Sequence, residues 1–453
     1  MYEQFLILAA ASPEAPALID GETGATVTRA ALRLRADALA TELAGAGLRA
    51  NDLFAVQLRN SAEFVAAVLA ASKLRLVIVP IDRDSPDTEV GAILSHFCIS
   101  GLLYRPERTS TKVAISRRNP SQRPPIPDDA FLIKLTSGST GKPKGVVVSE
   151  ANLIADCDNI CSSMGITAAD INLGAIPMSH SYGFSNLVTP LLTLGTAVVI
   201  SNDYLPQSTI ELANRHHCTV APLIPMVFDH LASAAGGAFE TVRTFISAGA
   251  PLTASTSRRF RERFGIDIHS FYGCSECGGI TYDRQGGAVE RGSVGVAMNG
   301  VDLEMDGARL TVRSKCVALG TLLDAHTFTA FDRDRFTTDD LIERRDNGEI
   351  VLTGRASDLI VTASKKVNPR EVEQVIMQID GVREVKVFGS PAGARGEVVA
   401  AAIVGDPDIT RDQVRAFCRE RLSSHKVPRI IKFIEAIPLD ERGKVKRAAL
   451  AGL

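Results

Sequence analysis

The 453-residue sequence has no excess of either charge: 50 lysines and arginines stand against 52 aspartates and glutamates, a formal net charge of −2. The two signs are interspersed, so there is no electrostatic reason to expect nucleic acid as a partner. Long apolar runs are also missing. The stretch from Phe64 to Pro80 is interrupted by Lys73 and Arg75 and is too short to span a bilayer. At the N-terminus, Met1 to Ala9 carries a short apolar run with the acidic Glu3 where a basic region would be needed. It reads as a helix start and not a signal peptide, so no membrane span and cytoplasmic residence are the expectations. The eight cysteines have no framework spacing. Cys274 and Cys277 form a C-x-x-C, but no second pair or His-x-His lies near, and both are expected to be small residues lining a pocket. No internal repeat or low-complexity tract is present.

What is there is ordinary globular composition, 45% hydrophobic and 23% charged, in a chain long enough for two or more domains. From residue 28 to 103 helical and strand-like patterns alternate. Thr28 caps a helix to about Leu48, Asp52 to Leu58 is a strand, Ser61 to Leu74 a helix and Leu76 to Ile81 a buried strand. A helix from Glu89 to Phe97 precedes a strand at Gly101 to Tyr104. Such alternation implies a parallel sheet with helices on its faces, an α/β fold. Glu107 to Asp129, rich in Arg, Ser and Pro, reads as a loop. Further on, helices are expected at Ala151 to Met164, Thr209 to His217 and Thr253 to Phe264, with strands near Ile171 to Ile176 and Ala197 to Ile200. From about Asp302 the strands become short and hairpin-like. The last hundred residues read as a compact α+β unit. Its first helix starts at Asn368-Pro369-Arg370-Glu371, with a capping side chain, Pro in the first position and an acid in the third.

One loop concentrates hydroxyls, glycines and lysine: Thr136-Ser137-Gly138-Ser139-Thr140-Gly141-Lys142-Pro143-Lys144-Gly145. Glycines allow backbone N–H groups to approach an anion closely, and the hydroxyls and Lys144 add donors and charge, so the loop suits phosphate. It lacks the G-x-x-x-x-G-K-[ST] spacing, and Val146 to Val148 reads as a strand where a P-loop would start a helix.

The loop fits every fixed position of T-S-G-[ST]-T-G-x-P-K-G, and by it the chain resembles the adenylate-forming superfamily, close to acyl- and aryl-CoA synthetases. Further segments match in order. Ser247-Ala248-Gly249-Ala250-Pro251 resembles the adenine-flanking turn, and Phe271-Tyr272-Gly273-Cys274-Ser275-Glu276 the Y-G-x-[ST]-E motif. Thr337-Thr338-Asp339-Asp340-Leu341 is similar to T-G-D-L, with Asp339 in place of Gly. Gly354-Arg355 to Ile360 resembles the hinge motif, and Gly443-Lys444 more loosely the segment bearing the catalytic lysine.

The resemblance implies a large N-terminal domain with helix-flanked sheets, residues 1–355, and a small mobile α+β domain, residues 356–453, pivoting at Ser357. It implies that Thr136, Ser137, Gly138, Ser139, Thr140, Gly141 and Lys144 hold the β- and γ-phosphates of ATP. Glu276 would bind Mg²⁺ and Ser275 would donate to the phosphate. Phe271, Tyr272, Gly273, Ala248, Gly249 and Ala250 would border adenine. Asp340 would accept from the ribose hydroxyls with help from Arg355, and Lys444 would bridge the acid and the α-phosphate. The acid pocket would be formed by His180, Tyr182, Gly183, Phe184, Cys277 and Gly278, with Gly278 and Gly279 leaving space at its end. No aspartate lies between Asp170 and Asp203 to pair with a substrate amine, which argues against a free α-amino acid. The implied reaction activates an aryl or aliphatic carboxylic acid and passes it to CoA or to an acyl or peptidyl carrier protein. The alternatives are delivery to a carrier protein alone, or a nucleotide-binding regulator without turnover. Ser364, where the family's thiol-side loop has Gly, weakens the expectation for CoA.

Overall fold

A computed structural model describes residues 1–107, 112–120, 122–137, 143–362, 365–391 and 397–438. Gly138, Ser139, Thr140, Gly141, Ser364 and Lys444 lie outside these residues, as does the side chain of Ser137. The chain divides into two compact units. The first comprises residues 1–304, 312–336 and 347–349; the second comprises 305–311, 337–346 and 350–453.

Two helix-flanked sheets form the first unit. In the eight-stranded sheet the parallel strands Ala130–Ser137, Val77–Pro80, Leu53–Gln57 and Gly101–Tyr104 are neighbours. These strands are nearly all buried, which is why they read as unbroken apolar runs rather than alternating ones. Helix Arg29–Gly45 begins where Thr28 Oγ1 accepts from the Ala31 N–H, and helix Ala62–Leu74 begins where Ser61 Oγ accepts from that of Phe64. The stretch expected as a loop contains strand Ala114–Arg117, antiparallel to Gly101–Tyr104. Its half-buried Ala114 and Ile115 and exposed Ser116 and Arg117 were too short a pattern to stand out among prolines and arginines.

The nine-stranded sheet has a parallel centre: Ile268–Cys274, Thr244–Ser247, Val220–Leu223, Ile171–Gly174, Ala197–Ile200 and Pro16–Asp20. Its helices include Glu150–Met164, capped reciprocally by Ser149 and Asn152, and Ala254–Phe264, capped by Thr253. Phe228, Phe245 and Phe260 meet edge to face on one side of this sheet. A helical run covering Ser181–Gly183, Phe184–Val188 and Thr189–Thr193 was not anticipated. It is buried almost all round, so it carries no polar–apolar periodicity to read. Its middle segment is π-helical, a local irregularity that recurs at functional sites.

In the second unit, the three-stranded sheet Val382–Pro391, Glu397–Gly405 and Ile430–Phe433 packs against helices Pro369–Ile376 and Arg411–Arg421. Asn368 caps the first of these helices through the Arg370 N–H, as expected. Glu371 does not complete a capping box; its carboxylate is held by Lys426 Nζ at 2.5 and 2.7 Å. The hairpin Arg335–Arg344 and Ile350–Arg355 forms one side of a four-stranded sheet.

Candidate active site

In both sheets of the first unit the candidate residues follow the C-terminal ends of parallel strands, the usual place for ligands in open α/β sheets. Strand Ala130–Ser137 ends the first half of a hairpin whose return strand is Pro143–Ser149, with Thr136 opposite Lys144 and Ser137 opposite Pro143. The described ends of the phosphate-suited loop, Thr136, Ser137, Pro143 and Lys144, are therefore opposite each other across the two strands. Gly145, opposite Leu135, has no room for a side chain: a Cβ there would stand 2.4 Å from Ile133 Cγ2. That glycine serves close strand packing.

From the nine-stranded sheet, strand Ile171–Gly174 leads into the segment carrying His180. Ser181 Oγ lies 3.0 Å from Ser275 Oγ, so the segment beginning at His180 and the turn carrying Glu276 are in direct contact although 94 residues apart. The Tyr182 hydroxyl donates to Ile246 O at 3.0 Å and lies 3.4 Å from Leu223 O, both near the C-terminal ends of sheet strands. Burial pushes this phenol well above its usual pKa, so it stays a neutral donor fastening the short helix to the sheet. Phe184 is fully buried among core residues, and a Cβ on Gly183 would stand 2.1 Å from Pro177 O. Both positions are accounted for by packing. Phe271, also buried, lies 5.9 Å from the Tyr182 ring.

The turn Ser275-Glu276-Cys277 joins strands Ile268–Cys274 and Gly278–Tyr282. Glu276 O accepts from the Ala318 N–H at 2.8 Å, and Cys277 O from Cys316 Sγ at 2.9 Å. Gly278 and Gly279 do not leave the empty space expected of them. A Cβ on Gly278 would meet Asp156 Oδ1 at 2.3 Å, and one on Gly279 would meet Met298 Sδ at 2.7 Å and Phe271 Cε2 at 2.8 Å. The missing side chains make room for neighbouring protein atoms. Gly273 is similar, with Gly278 O 2.4 Å from where its Cβ would be. In the turn after strand Thr244–Ser247, Ala248 is buried, while Gly249 takes φ +87° and is exposed with Ala250. Tyr272 is half-buried.

Three residues absent from the sequence reading hold these loops. Asn60, buried after strand Leu53–Gln57, donates to Gly174 O and Ile176 O at 2.9 Å each and accepts from the Met178 N–H at 2.8 Å. It ties the approach to His180 to the other sheet. Asp82, just after strand Val77–Pro80, places a carboxylate oxygen 3.0 Å from His180 Nε2. Asp156, on helix Glu150–Met164, accepts from Ser185 Oγ at 2.7 Å and from the Gly279 N–H at 2.8 Å.

Cys277 is driven well above the ordinary thiol pKa by its hydrogen bond with Cys274 and by burial, and Cys316 is pushed up to about 12, chiefly by burial. Both are packed, protonated side chains. Among the described residues no group of three or more His, Cys, Asp or Glu is arranged to hold an ion. Glu276, half-buried on its turn, is a carboxylate of the kind that can hold Mg²⁺ together with substrate phosphates.

In the second unit Asp340 and Arg355 are directly opposite across the hairpin, and Arg355 Nε donates to Asp340 Oδ1 at 2.9 Å. Ser357 follows in a short 3₁₀ turn. Its N–H and hydroxyl both donate to the Asp339 carboxylate, so the residue that stands where the family motif has Gly is bonded to Ser357. Among the described residues no helix is long and apolar enough to cross a membrane.

Comparison with known proteins agrees with these motifs. The AMP-binding enzyme family matches residues 7–309, and the AMP-binding enzyme C-terminal domain matches residues 371–444. The chain is 26% identical to feruloyl-CoA synthase of Amycolatopsis sp, over 96% of this chain and 95% of that protein. It is 28% identical to naringenin synthase of Pestalotiopsis fici over 94% of this chain, which spans only 18% of that longer protein. In fold it is similar to ATP-bound MatB from Rhodopseudomonas palustris, with a TM-score of 0.83, 24% identity and coverage of 100% and 98% of the two chains. The chain belongs to the AMP-binding enzyme family, the adenylate-forming superfamily.

Proposed function

We propose that this enzyme joins a carboxylic acid to ATP at the site where Ser181 meets Ser275, and then passes the acyl group to CoA in the cytoplasm. The contact of those two hydroxyls at 3.0 Å is the observation that carries the reading, because it brings the acid-side segment against the turn of Glu276. In the first step a carboxylate oxygen attacks the α-phosphorus, the bond to the bridging oxygen of the β-phosphate breaks, and pyrophosphate leaves. In the second, a thiol sulfur attacks the acyl carbon of the adenylate and AMP leaves.

In this reading Thr136 to Lys144 bind the terminal phosphates, and Ser275 donates to a phosphate oxygen. Tyr272 and residues 248–250 border adenine. Glu276 holds Mg²⁺, which when bound neutralises phosphate charge. Asp340 orients the ribose through its hydroxyls, releasing part of its bond to Arg355. Lys444 supplies positive charge where the α-phosphate gains negative charge, and the segment from residue 356 pivots at Ser357 between the two steps. His180, with one ring nitrogen engaged by Asp82, borders the acid. The name of the feruloyl-CoA synthase relative favours an aryl acid. One observation supports a carrier protein as an alternative acceptor: Lys365 and Lys366 are both exposed, a cationic pair suited to an acidic partner.

The test is ATP–pyrophosphate exchange with aryl, short-chain and long-chain acids, followed by product analysis with CoA and with a phosphopantetheinyl carrier. Exchange with one acid class supports the reading. Absence of exchange despite ATP binding would turn it toward a regulator.

A further inference from the structure

Asp156 is 2% exposed, yet among the described residues it makes no ion pair with Lys or Arg. A buried carboxylate is costly unless hydrogen bonds compensate it. Here the compensation is aimed at two particular places. Oδ2 accepts from Ser185 Oγ at 2.7 Å, in the π-helical segment Phe184–Val188 that follows Tyr182 and Gly183. Oδ1 accepts from the Gly279 N–H at 2.8 Å, three residues after Glu276. The same oxygen abuts Gly278, whose φ of +65° no residue with a side chain adopts easily and whose absent Cβ would lie 2.3 Å away. The strand therefore comes against Asp156 as closely as backbone allows.

On the other side, the turn is held by the Ala318 N–H and Cys316 Sγ. Glu276 and Ser275 thus sit on a turn clamped between Asp156 and residues 316–318, and Asp156 is also bonded to the segment that carries Ser181. A carboxylate only accepts, so one side chain can gather a hydroxyl and an N–H from two chain segments without competing donors of its own.

We propose that Asp156 is a positioning residue that sets the distance between the acid-side segment Ser181–Ser185 and the nucleotide-side turn Ser275–Glu276. It touches neither acid nor nucleotide and acts through Ser185 and Gly279. The inference rests on the proposed function for the identity of the two sides. Its physical basis is the shared anchor: a shift of about 1 Å between reacting groups costs on the order of 100-fold in rate.

The experiment compares Asp156→Ala, Asp156→Asn and Ser185→Ala by ATP–pyrophosphate exchange, well below each variant's melting temperature and with the fold checked by circular dichroism. In Asp156→Asn the amide oxygen still accepts from Gly279 and the amide group donates to Ser185 Oγ, so exchange is expected within about 5-fold of wild type. Asp156→Ala, if folded, is expected to lose about 100-fold in kcat/KM. Ser185→Ala cuts only one arm. It is expected to raise KM for the acid several-fold while leaving KM for ATP unchanged, a split that general destabilisation would not give. Folded Asp156→Ala with wild-type kinetics would overturn the proposal, and so would equal rises in both KM values for Ser185→Ala. If wild type exchanges with no acid, the functional reading has failed, and positioning is then decided by calorimetry with Mg·ATP. Binding about 10-fold weaker in Asp156→Ala supports it, and unchanged binding overturns it.

Discussion

Asp156 in the first unit and Asp340 in the second are both carboxylates beside family motifs, and their settings differ in kind. Asp156 is buried and bonded to a neutral hydroxyl and a backbone N–H. The Asp340 side chain is 13% exposed and is paired with Arg355, whose side chain is 58% exposed. Leaving a buried partner unsatisfied costs about 1–3 kcal/mol, whereas a pair with an exposed guanidinium is worth roughly 0–1 kcal/mol. The first arrangement fixes loops before any ligand arrives, and the second can be exchanged for a ligand at small cost. Asn60 belongs with Asp156, binding three backbone groups from within the fold. The half-buried Asp339 and the exposed Ser357 are likewise bonded through groups that water can replace.

The largest expected effect comes from a residue outside those the structure describes. Lys444→Ala should lower ATP–pyrophosphate exchange by at least about 100-fold, since charge placed at a developing oxyanion is worth roughly 3 kcal/mol. Thioester formation from supplied acyl-adenylate should survive in single-turnover assays; equal loss of both steps would show a role beyond the α-phosphate. Asn60→Ala should lower unfolding free energy by about 2–4 kcal/mol in urea titrations. A change below about 0.5 kcal/mol would remove the buried-anchor half of the comparison. Asp340→Asn should change stability by less than about 1 kcal/mol. It should nonetheless raise KM for ATP about 10-fold and leave KM for the acid alone. A stability loss as large as that of Asn60→Ala would erase the contrast. Smallest is Ser357→Ala, expected within about 0.5 kcal/mol of wild type by thermal melting.

The parallel strands and most helix starts were legible because their causes are local. Thr28, Ser61 and Thr253 are followed by apolar periodicity, and each caps the helix it announces. The pairing of Ser181 with Ser275 was reachable only through motif resemblance, because nothing within either segment points to the other. Asn60, Asp82 and Asp156 escaped because their partners lie far along the chain, 98 residues away for Asp82, 114 to 118 for Asn60, and 29 and 123 for Asp156. A signal did exist for Asp156: it shares the buried stripe Leu153, Cys157, Ile160 and Cys161, where an unpaired acid calls for a partner. Gly278 and Gly279 were misread for another reason. A glycine records that a side chain cannot fit, without saying whether a ligand or the protein fills the place, and here Asp156, Met298 and Phe271 do.

The central claim is adenylation of a carboxylic acid at the Ser181–Ser275 junction. ATP–pyrophosphate exchange by the wild-type enzyme across aryl, short-chain and long-chain acids, with and without CoA, tests it most directly. The account predicts Mg²⁺-dependent exchange with one acid class and a thioester when CoA is added. Tight ATP binding with no exchange for any acid class would contradict it.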